Sequence, residues 1–540
     1  MLCCLIATQQ TFAARYLIHG IKGSMANNVD LRLSLLEKNS PTLSNTQLIE
    51  NIKLAMAPFG YYSPKIKVNN KDFQITAGIA THIKSINIRI EGPGKGLLEP
   101  LLKTGPLQEG NVFKSEDFDN AKQQLFDKAE QNGYLNARMR QSQALINPLN
   151  GQAHISLHFE TGDLYHFGAI NFNQTSAYNP LFLERYLSFK PGEAFSTEKL
   201  LTFNASLNDS GYFQKISIKP RISKKTIVPI DVFLHDKPSQ NYLAGLGYIT
   251  DTGARARIGW QWLRVNDFGH TFQALYIGSQ KQNTLQAQYV IPGFKPSTDQ
   301  YTFSSKVFQL NYPLGRSHAQ QYTAASLFEK KGRQYTISIN ALNESFNFNG
   351  FSKITKKVLY PNIKVAYKQI NSPIFSKHGF ALNSNAKTAR TILGSDLNLA
   401  QIELSAKIAV WLPSHTRLFF RGNAGFTNTD DINAVPLSLQ LLAGGADSIR
   451  GYHYQSLGPG KRLIVGSAEI QQETFFDDWF VNAFYDIGDV YQPLANHWKR
   501  GVGAGIMWVS PMGPIRLSLA KALDDEGKPL RVIFNMGPDL

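Results

Sequence analysis

The hydrophobic pattern of this chain changes once, near residue 240. Before that point apolar positions recur at helical spacing, and amphipathic helices are predicted over residues 46–56, 115–130 and 196–208. Each leads into a glycine followed by an aromatic residue: Gly60-Tyr61-Tyr62, Gly133-Tyr134-Leu135 and Gly211-Tyr212-Phe213. Glycine supplies the positive φ that ends a helix, and a strand is expected beyond it. The three glycines lie 73 and 78 residues apart. Opening strands are predicted at 16–21, 83–90 and 165–172, and closing strands at 154–159 and 227–234. Gly110-Asn111-Val112-Phe113 also matches Gly192-Glu193-Ala194-Phe195, each just before a helix start. The first part of the chain therefore reads as a β-α-α-β-β unit of about 75 residues, three times over.

From about Asn241 the helical period gives way to alternation. In 254–262, Ala254, Ala256, Ile258, Trp260 and Trp262 share one face, and Arg255, Arg257, Gly259 and Gln261 the other. Residues 284–291, 501–508, 514–521 and 530–536 alternate in the same way. A soluble sandwich also alternates, with its apolar face inward. Two features favour a membrane barrel. The segment 240–540 shows no helical pattern, and aromatics (Tyr248, Trp260, Trp262, Tyr289, Trp411, Trp479, Trp508) sit near strand ends as interface girdles do. A spanning sheet must close, because an open edge leaves backbone groups unpaired in hydrocarbon. At about 18–20 residues per strand and connection, about 16 strands fit.

Composition narrows the picture. The 540 residues exceed one compact core, and 43% hydrophobic against 18% charged residues exclude wholesale disorder. No run of about 18 apolar residues predicts a membrane helix. Cys3 and Cys4 are the only cysteines, so no disulfide or Cys-based zinc site is expected downstream. The net charge of +16 is scattered rather than gathered in a basic run, which fits a solvated surface better than nucleic-acid binding. Residues 1–14 resemble the end of a secretory signal: an apolar run at 2–7, then Ala13-Ala14. The glycine-rich stretches 92–96, 458–461 and 501–505 lack phosphate-loop or dinucleotide spacing, and neither HExxH nor GxSxG occurs. The 12 histidines are scattered, and Asp524-Asp525-Glu526 reads as a hairpin turn with solvated acids. No catalytic residue, cofactor or metal is expected.

The chain resembles a known family. Ile449-Arg450-Gly451-Tyr452, within Gly444-Gly445-Ala446-Asp447-Ser448, resembles the [VI]RG[FY] loop of the POTRA-plus-barrel outer-membrane assembly and secretion proteins. Phe484-Tyr485-Asp486-Ile487-Gly488-Asp489-Val490 resembles the family's FxDxGxV strand, and Ser510-Pro511-Met512-Gly513-Pro514 its SPxGP strand. With three N-terminal units and the ending Gly537-Pro538-Asp539-Leu540, the whole is most similar to TamA-like outer-membrane subunits of the translocation and assembly module. The implied organisation is a signal remnant (1–14), POTRA 1 (15–81), POTRA 2 (82–160), POTRA 3 (163–236) and a 16-stranded antiparallel transmembrane β-barrel (240–540).

Alternation alone sends Glu469 and Asp486 inward and Ile464, Ile470, Val481 and Tyr485 toward lipid. The resemblance implies that the Ile449–Tyr452 loop folds into the lumen and that Arg450 meets Asp486 and Glu469, which its planar fork suits. It also implies a seam between the first strand, near 242–248, and the last, near 530–536, that opens sideways to pair with client strands. Gly245, Gly247, Phe534, Gly537 and Pro538 belong to this seam, where Gly and Pro disfavour a regular ladder. The implied location is the bacterial outer membrane, with the repeats in the periplasm. The implied partners are client outer-membrane or autotransporter proteins, outer-membrane lipid, and a TamB-like inner-membrane-anchored protein docking on POTRA 1. The competing expectation is a two-partner secretion pore; such pores usually carry two POTRA units and a plug helix. A passive porin or adhesin would leave the repeats without a purpose.

Overall fold

The computed structural model describes residues 16–39, 44–69, 72–103, 105–173, 176–223, 225–492 and 498–537. The signal-like segment 1–14 and Pro538 lie outside the described residues. No described helix is long and apolar enough to cross a membrane.

Each repeat forms a three-stranded sheet whose closing strand lies in the middle, parallel to the opening strand. In the first, Asp72–Thr76 sits between Leu17–His19 and Lys65–Asn69; in the second, Gln152–Glu160 between His82–Glu91 and Arg138–Asn147; in the third, Ile227–Asp236 between His166–Phe172 and Phe213–Pro220. The predicted helices appear as Asn45–Met56, Ser115–Gln131 and Thr197–Asp209. Ser44 and Gln47 form a reciprocal capping box at the first of these. Its apolar face, Ile52 and Met56, packs with Val29 and Leu33 against Phe73 and Ile75. Gly60, Gly133 and Gly211 all take positive φ. The opening strand of the first repeat is shorter than expected, and the 92–96 stretch runs into a helix, Lys95–Lys103, rather than remaining a loop.

The residues divide into two compact units. One holds the first two repeats with 187–205 and 217–233; the other holds 240–540 together with 174–186, 206–216 and 234–239. Within this second unit, parts of the third repeat are fastened to barrel turns. Tyr178 and Tyr212 donate their hydroxyls to the carbonyls of Leu263 and Gly269, and Arg185 donates to those of Pro292 and Gly293. Arg264 pairs with Asp236 at 3.1 Å. Burial pushes the Tyr212 phenol up to about 12, so it remains a donor at physiological pH.

Residues 240–537 form one 16-stranded sheet, with every neighbour antiparallel. It runs from Gln240–Ile249 to Leu530–Met536 and coils into a nearly closed barrel. Its outer face is apolar: Ile464, Ile470, Val481 and Tyr485 are exposed, while Glu469, Asn482 and Asp486 are buried inside. The lumen is not uniformly polar. At its far end, where the chain's first barrel turn (250–252) lies, Ile432, Val435, Leu437 and Leu439 of a long connection pack against inward Phe308, Leu342, Phe346 and Val358. That plug is a dry core of its own. It explains a reversal along Arg333–Phe348: inward positions pass from Ser338 and Asn340 to Leu342 and Phe346, while outward ones pass from Ile337 and Ile339 to Asn343 and Ser345. The far ends of these strands therefore present polar groups outward, as segments rising out of hydrocarbon require.

Candidate functional site

The connection 430–461 joins Thr416–Thr429 to Arg462–Glu473, which are neighbours in the barrel wall. Nothing topological demands 32 residues for that step, and long ordered loops are commonly functional. The connection turns back into the lumen. Two 3-10 turns, Ile432–Ala434 and Leu437–Leu439, carry the plug, and Leu441–Ala443 pairs with Leu457–Gly460 as a short hairpin. The 458–461 stretch thus lies largely in a strand, not in a free loop. Inward-facing Glu344 accepts hydrogen bonds from the backbone N–H (3.1 Å) and hydroxyl of Ser438, fixing the start of the loop to Arg333–Phe348.

The tip, 444–456, brings Ile449, Arg450, Gly451 and Tyr452 together with Glu469 and Asp486. Arg450 sends Nε to Asp486 Oδ2 (2.7 Å) and Nη2 to Asp486 Oδ1 (2.8 Å), a bidentate fork. Its Nη1 bonds Glu469, Nη2 also bonds Ser467 Oγ (3.0 Å), and its backbone N–H donates to Asp486 Oδ2 (2.9 Å). The guanidinium also stacks 3.3 Å from the Phe484 ring centre. Exposure of the three charged side chains is 7% for Arg450, 4% for Glu469 and 0% for Asp486. Gln471 and Asn482 donate to the other Glu469 oxygen, at 2.7 and 2.9 Å. Ile449 is buried in a cluster with Leu441, Val465 and Ala522.

Two glycines permit this seat. Gly451 takes φ +97°, and a Cβ on it would lie 2.7 Å from the Ala522 nitrogen. A Cβ on Gly501 would run into the Arg450 carbonyl oxygen. Tyr452 accepts at its hydroxyl from the Asp524 N–H (3.2 Å), while Asp524 clasps Arg500 with both oxygens. Asp524 is therefore a structural anchor rather than a solvated acid, and the Arg500 guanidinium holds its carboxyl below the usual range.

At the seam the structure departs from a weakened ladder between 242–248 and 530–536. Gln240–Ile249 and Leu530–Met536 are the two ends of the sheet and share no ladder. They touch where Thr250 donates its N–H to the Phe534 carbonyl (3.1 Å) and accepts at its hydroxyl from the Phe534 N–H (2.8 Å). Every residue of the first strand except Ile249 is exposed, Leu246 by 92%. Gly245 and Gly247 face open space: a Cβ on either would have nothing within 4 Å. Gly537 bonds back to Pro514 and ends the last strand. The loop tip reaches both sides of this gap. Ala446 donates its N–H to Asp251 Oδ2 (2.9 Å) in the turn after the first strand, and His453 meets Arg531 on the last. Burial pushes the Asp251 carboxyl up to about 6.

Sequence reasoning missed Glu344, Arg421 and Asp251. Parity could have found Arg421: Phe420 and Phe426 face outward on Thr416–Thr429, so position 421 faces inward. Asp251 had no such signal, because its partner is 195 residues away.

Comparison with known proteins agrees with this geometry. Residues 266–539 match the Omp85 superfamily domain, residues 15–84 match POTRA domain TamA domain 1, and residues 165–235 match the surface antigen variable number repeat, a POTRA-type unit. Among solved structures the chain is similar to BamA from Haemophilus ducreyi lacking POTRA domains 1-3, at 16% identity and a TM-score of 0.72, covering 84% of this chain and 99% of that one. It is also similar to CdiB from Acinetobacter baumannii (14% identity, TM-score 0.49, 95% and 98% covered) and CdiB from Escherichia coli (11%, 0.47, 95% and 98%). The chain belongs to the Omp85 superfamily of outer-membrane insertion and secretion proteins, with periplasmic POTRA units of which the first is of the TamA type.

Proposed function

We propose that this chain is an outer-membrane assembly factor that inserts or translocates β-barrel clients, such as autotransporters, by lateral opening of its seam. The observation that carries this reading is the first strand, Gln240–Ile249, whose outer edge has no ladder partner over its length. An unpaired edge facing hydrocarbon is costly, and an incoming client strand would relieve that cost by pairing with it. The lumen supports insertion better than export of a passenger: the apolar plug and the Arg450 network stand inside it. In this reading Arg450, Asp486 and Glu469 hold the loop in one geometry while the seam moves. Exposed edges of the POTRA sheets would receive clients, and the first repeat would receive a TamB-like periplasmic partner.

The test is a cysteine pair at Thr250 and Phe534, with Cys3 and Cys4 replaced by serine. The Thr250 N–H donates to the Phe534 carbonyl (3.1 Å), so the two backbones are near enough for a disulfide to close the seam. Oxidation should stop client insertion and reduction restore it. Full insertion by the oxidised protein refutes lateral opening.

A further inference from the structure

We propose that the turn 371–378 is a lid that closes the barrel lumen at its periplasmic end, separately from the loop 430–461 that closes the far end. Neighbouring strands alternate in direction, so this turn lies at the same end as 263–270 and 293–298, which Tyr178, Tyr212 and Arg185 of the third repeat hold. It joins Ile354–Ile370 to Gly379–Ala389, which are neighbours in the wall, and about two residues would close such a hairpin. The extra length is folded inward. Phe375 is 9% exposed and Ser376 2%, whereas Ile374 beside them is 43% exposed. Phe375 packs against Phe480 and Met507, with the two phenylalanine ring centres 5.4 Å apart. Both partners face the lumen: position 480 shares the parity of buried Asn482 and Asp486, and Met507 is its cross-strand neighbour. They belong to the fourth and fifth strands beyond Gly379–Ala389. At about 4.8 Å per strand that is about 20 Å around the wall, so a turn residue reaches them only by crossing the lumen.

The seat is built from the inner wall. Arg417, wholly buried, donates its Nε to the Ser376 carbonyl (3.0 Å) and its Nη1 to Gln471 Oε1 (2.8 Å). Its guanidinium lies 4.5 Å from the Phe375 ring centre and 4.9 Å from that of Phe419, one step deeper in the lumen. Trp411 also turns inward, its ring centre 6.2 Å from that of Phe480 and 4.2 Å from the Lys377 ammonium. The Ser376 hydroxyl accepts from the Asn371 N–H (3.0 Å), and that of Ser372 from the Phe375 N–H (3.4 Å), so the turn holds its own shape. Connecting turns ordinarily run over the surface. One that sets an aromatic ring across the lumen, against a buried arginine, excludes water from the passage instead. Farther in, Arg421 meets the Ser467 hydroxyl that Arg450 also bonds, so Phe419 lies between the lid and the Arg450 network. Two closures in series keep the passage shut when either one gives way. This inference does not require client insertion and survives or fails separately from it.

The test uses the full chain in detergent micelles, with Cys3 and Cys4 replaced by serine and Phe419→Cys as a reporter between the two closures. A charged, water-soluble maleimide is the probe, and its labelling rate is followed by mass spectrometry. Phe375→Lys should speed labelling about ten- to a hundredfold, the shift in lid population expected when one aromatic ring loses its buried seat. Phe375→Leu keeps an apolar group in that seat and should stay within about threefold of the reporter protein. Ile374→Lys, on the exposed side of the same turn, should leave the rate unchanged. All variants should keep the heat-dependent gel shift of a folded barrel. Hydrogen exchange across 446–452 should also hold, which excludes entry through the far end. Four outcomes overturn the proposal: labelling already fast before the lid is altered, no acceleration in Phe375→Lys, equal acceleration in Ile374→Lys, or acceleration accompanied by faster exchange at 446–452.

Discussion

Replacing Arg450 by methionine removes one charge and all of its side-chain donors while keeping much of the side chain's bulk. What remains is Asp486 and Glu469, both almost wholly shielded from water, with the cation between them gone and only Arg421, 3.9 Å from Asp486, nearby. Removing one member of a buried ion pair costs about 3–5 kcal/mol, mainly because the surviving charge stays desolvated. The geometry places this case inside that range rather than at the surface-pair value of about 0–1 kcal/mol, because neither carboxylate is more than 4% exposed. At 1.4 kcal/mol per factor of ten, the loop should open about a hundred to a few thousand times more often. Amide hydrogen exchange reads this directly, since the Arg450 N–H itself donates to Asp486. Exchange across residues 446–452 should accelerate by that factor, and client insertion should fall with it. A triple variant, Arg450→Met with Asp486→Asn and Glu469→Gln, should recover more than half of the lost protection, because neither buried carboxylate is then charged while Arg421 keeps Asp447. Exchange in the single variant that stays within about threefold of the parent would refute the claim that this network holds the loop. No recovery in the triple variant would show that bond geometry, not charge, does the holding.

Three further outcomes follow from neighbouring contacts. Glu344→Gln keeps an acceptor for Ser438 but brings an unmatched amide donor into a buried place, at a cost of about 1–3 kcal/mol; proteolysis should rise across 432–440 while exchange at 446–452 stays unchanged. Gly245→Val adds a Cβ where nothing lies within 4 Å, so the barrel should fold as before with a first strand stiffer by about 1 kcal/mol, and insertion should slow. The Asp251 carboxyl stands near 6 when folded and near 3.8 when unfolded, so the folded state holds the extra proton. Its contribution is full below about 3.8 and lost as pH rises through about 6; the difference in thermal stability between the parent and Asp251→Asn should therefore shift against the parent over that window.

Much of this architecture is local in origin and so was legible from sequence. The Gly60, Gly133 and Gly211 turns mark the repeats because a helix end with positive φ restricts residue type at one position. Parity placed Glu469 and Asp486 inside because a strand allows each residue only two directions. What stayed hidden was set by distant partners. Inward Leu342 and Phe346 break the polar-in rule, and only the plug residues about ninety positions later explain them. Asp524 looked like a solvated turn until Arg500 and Tyr452 closed on it. The seam looked like a weak ladder, because glycines in the first strand announce a poor strand but not the absence of a neighbour.

The distribution of loop contacts bears on which side of the seam moves. Arg450 is fastened to Arg462–Glu473 and Trp479–Tyr491, Gly451 lies against Gly513–Ala522, and His453 meets the last strand. The loop therefore belongs mechanically to the C-terminal wall. Among the described residues, the first strand and its turn are tied across the gap by three hydrogen bonds: two between Thr250 and Phe534, and one from Ala446 to Asp251. Two neutral bonds at about 0.5–1.5 kcal/mol and one to a carboxylate at about 1.5–3 kcal/mol sum to about 2.5–6 kcal/mol. That gap keeps an open state rare but reachable, as a gate requires. Strengthening Arg450's hold would thus leave the gate's own barrier unchanged, whereas one additional cross-seam bond at Thr250 would raise it. Opening should accordingly begin with the first hairpin swinging away while the loop stays seated, and spin labels on Leu246 and Ser448 should separate while labels on Ser448 and Asp525 hold their distance. A loop that travels with the first hairpin would reverse this assignment.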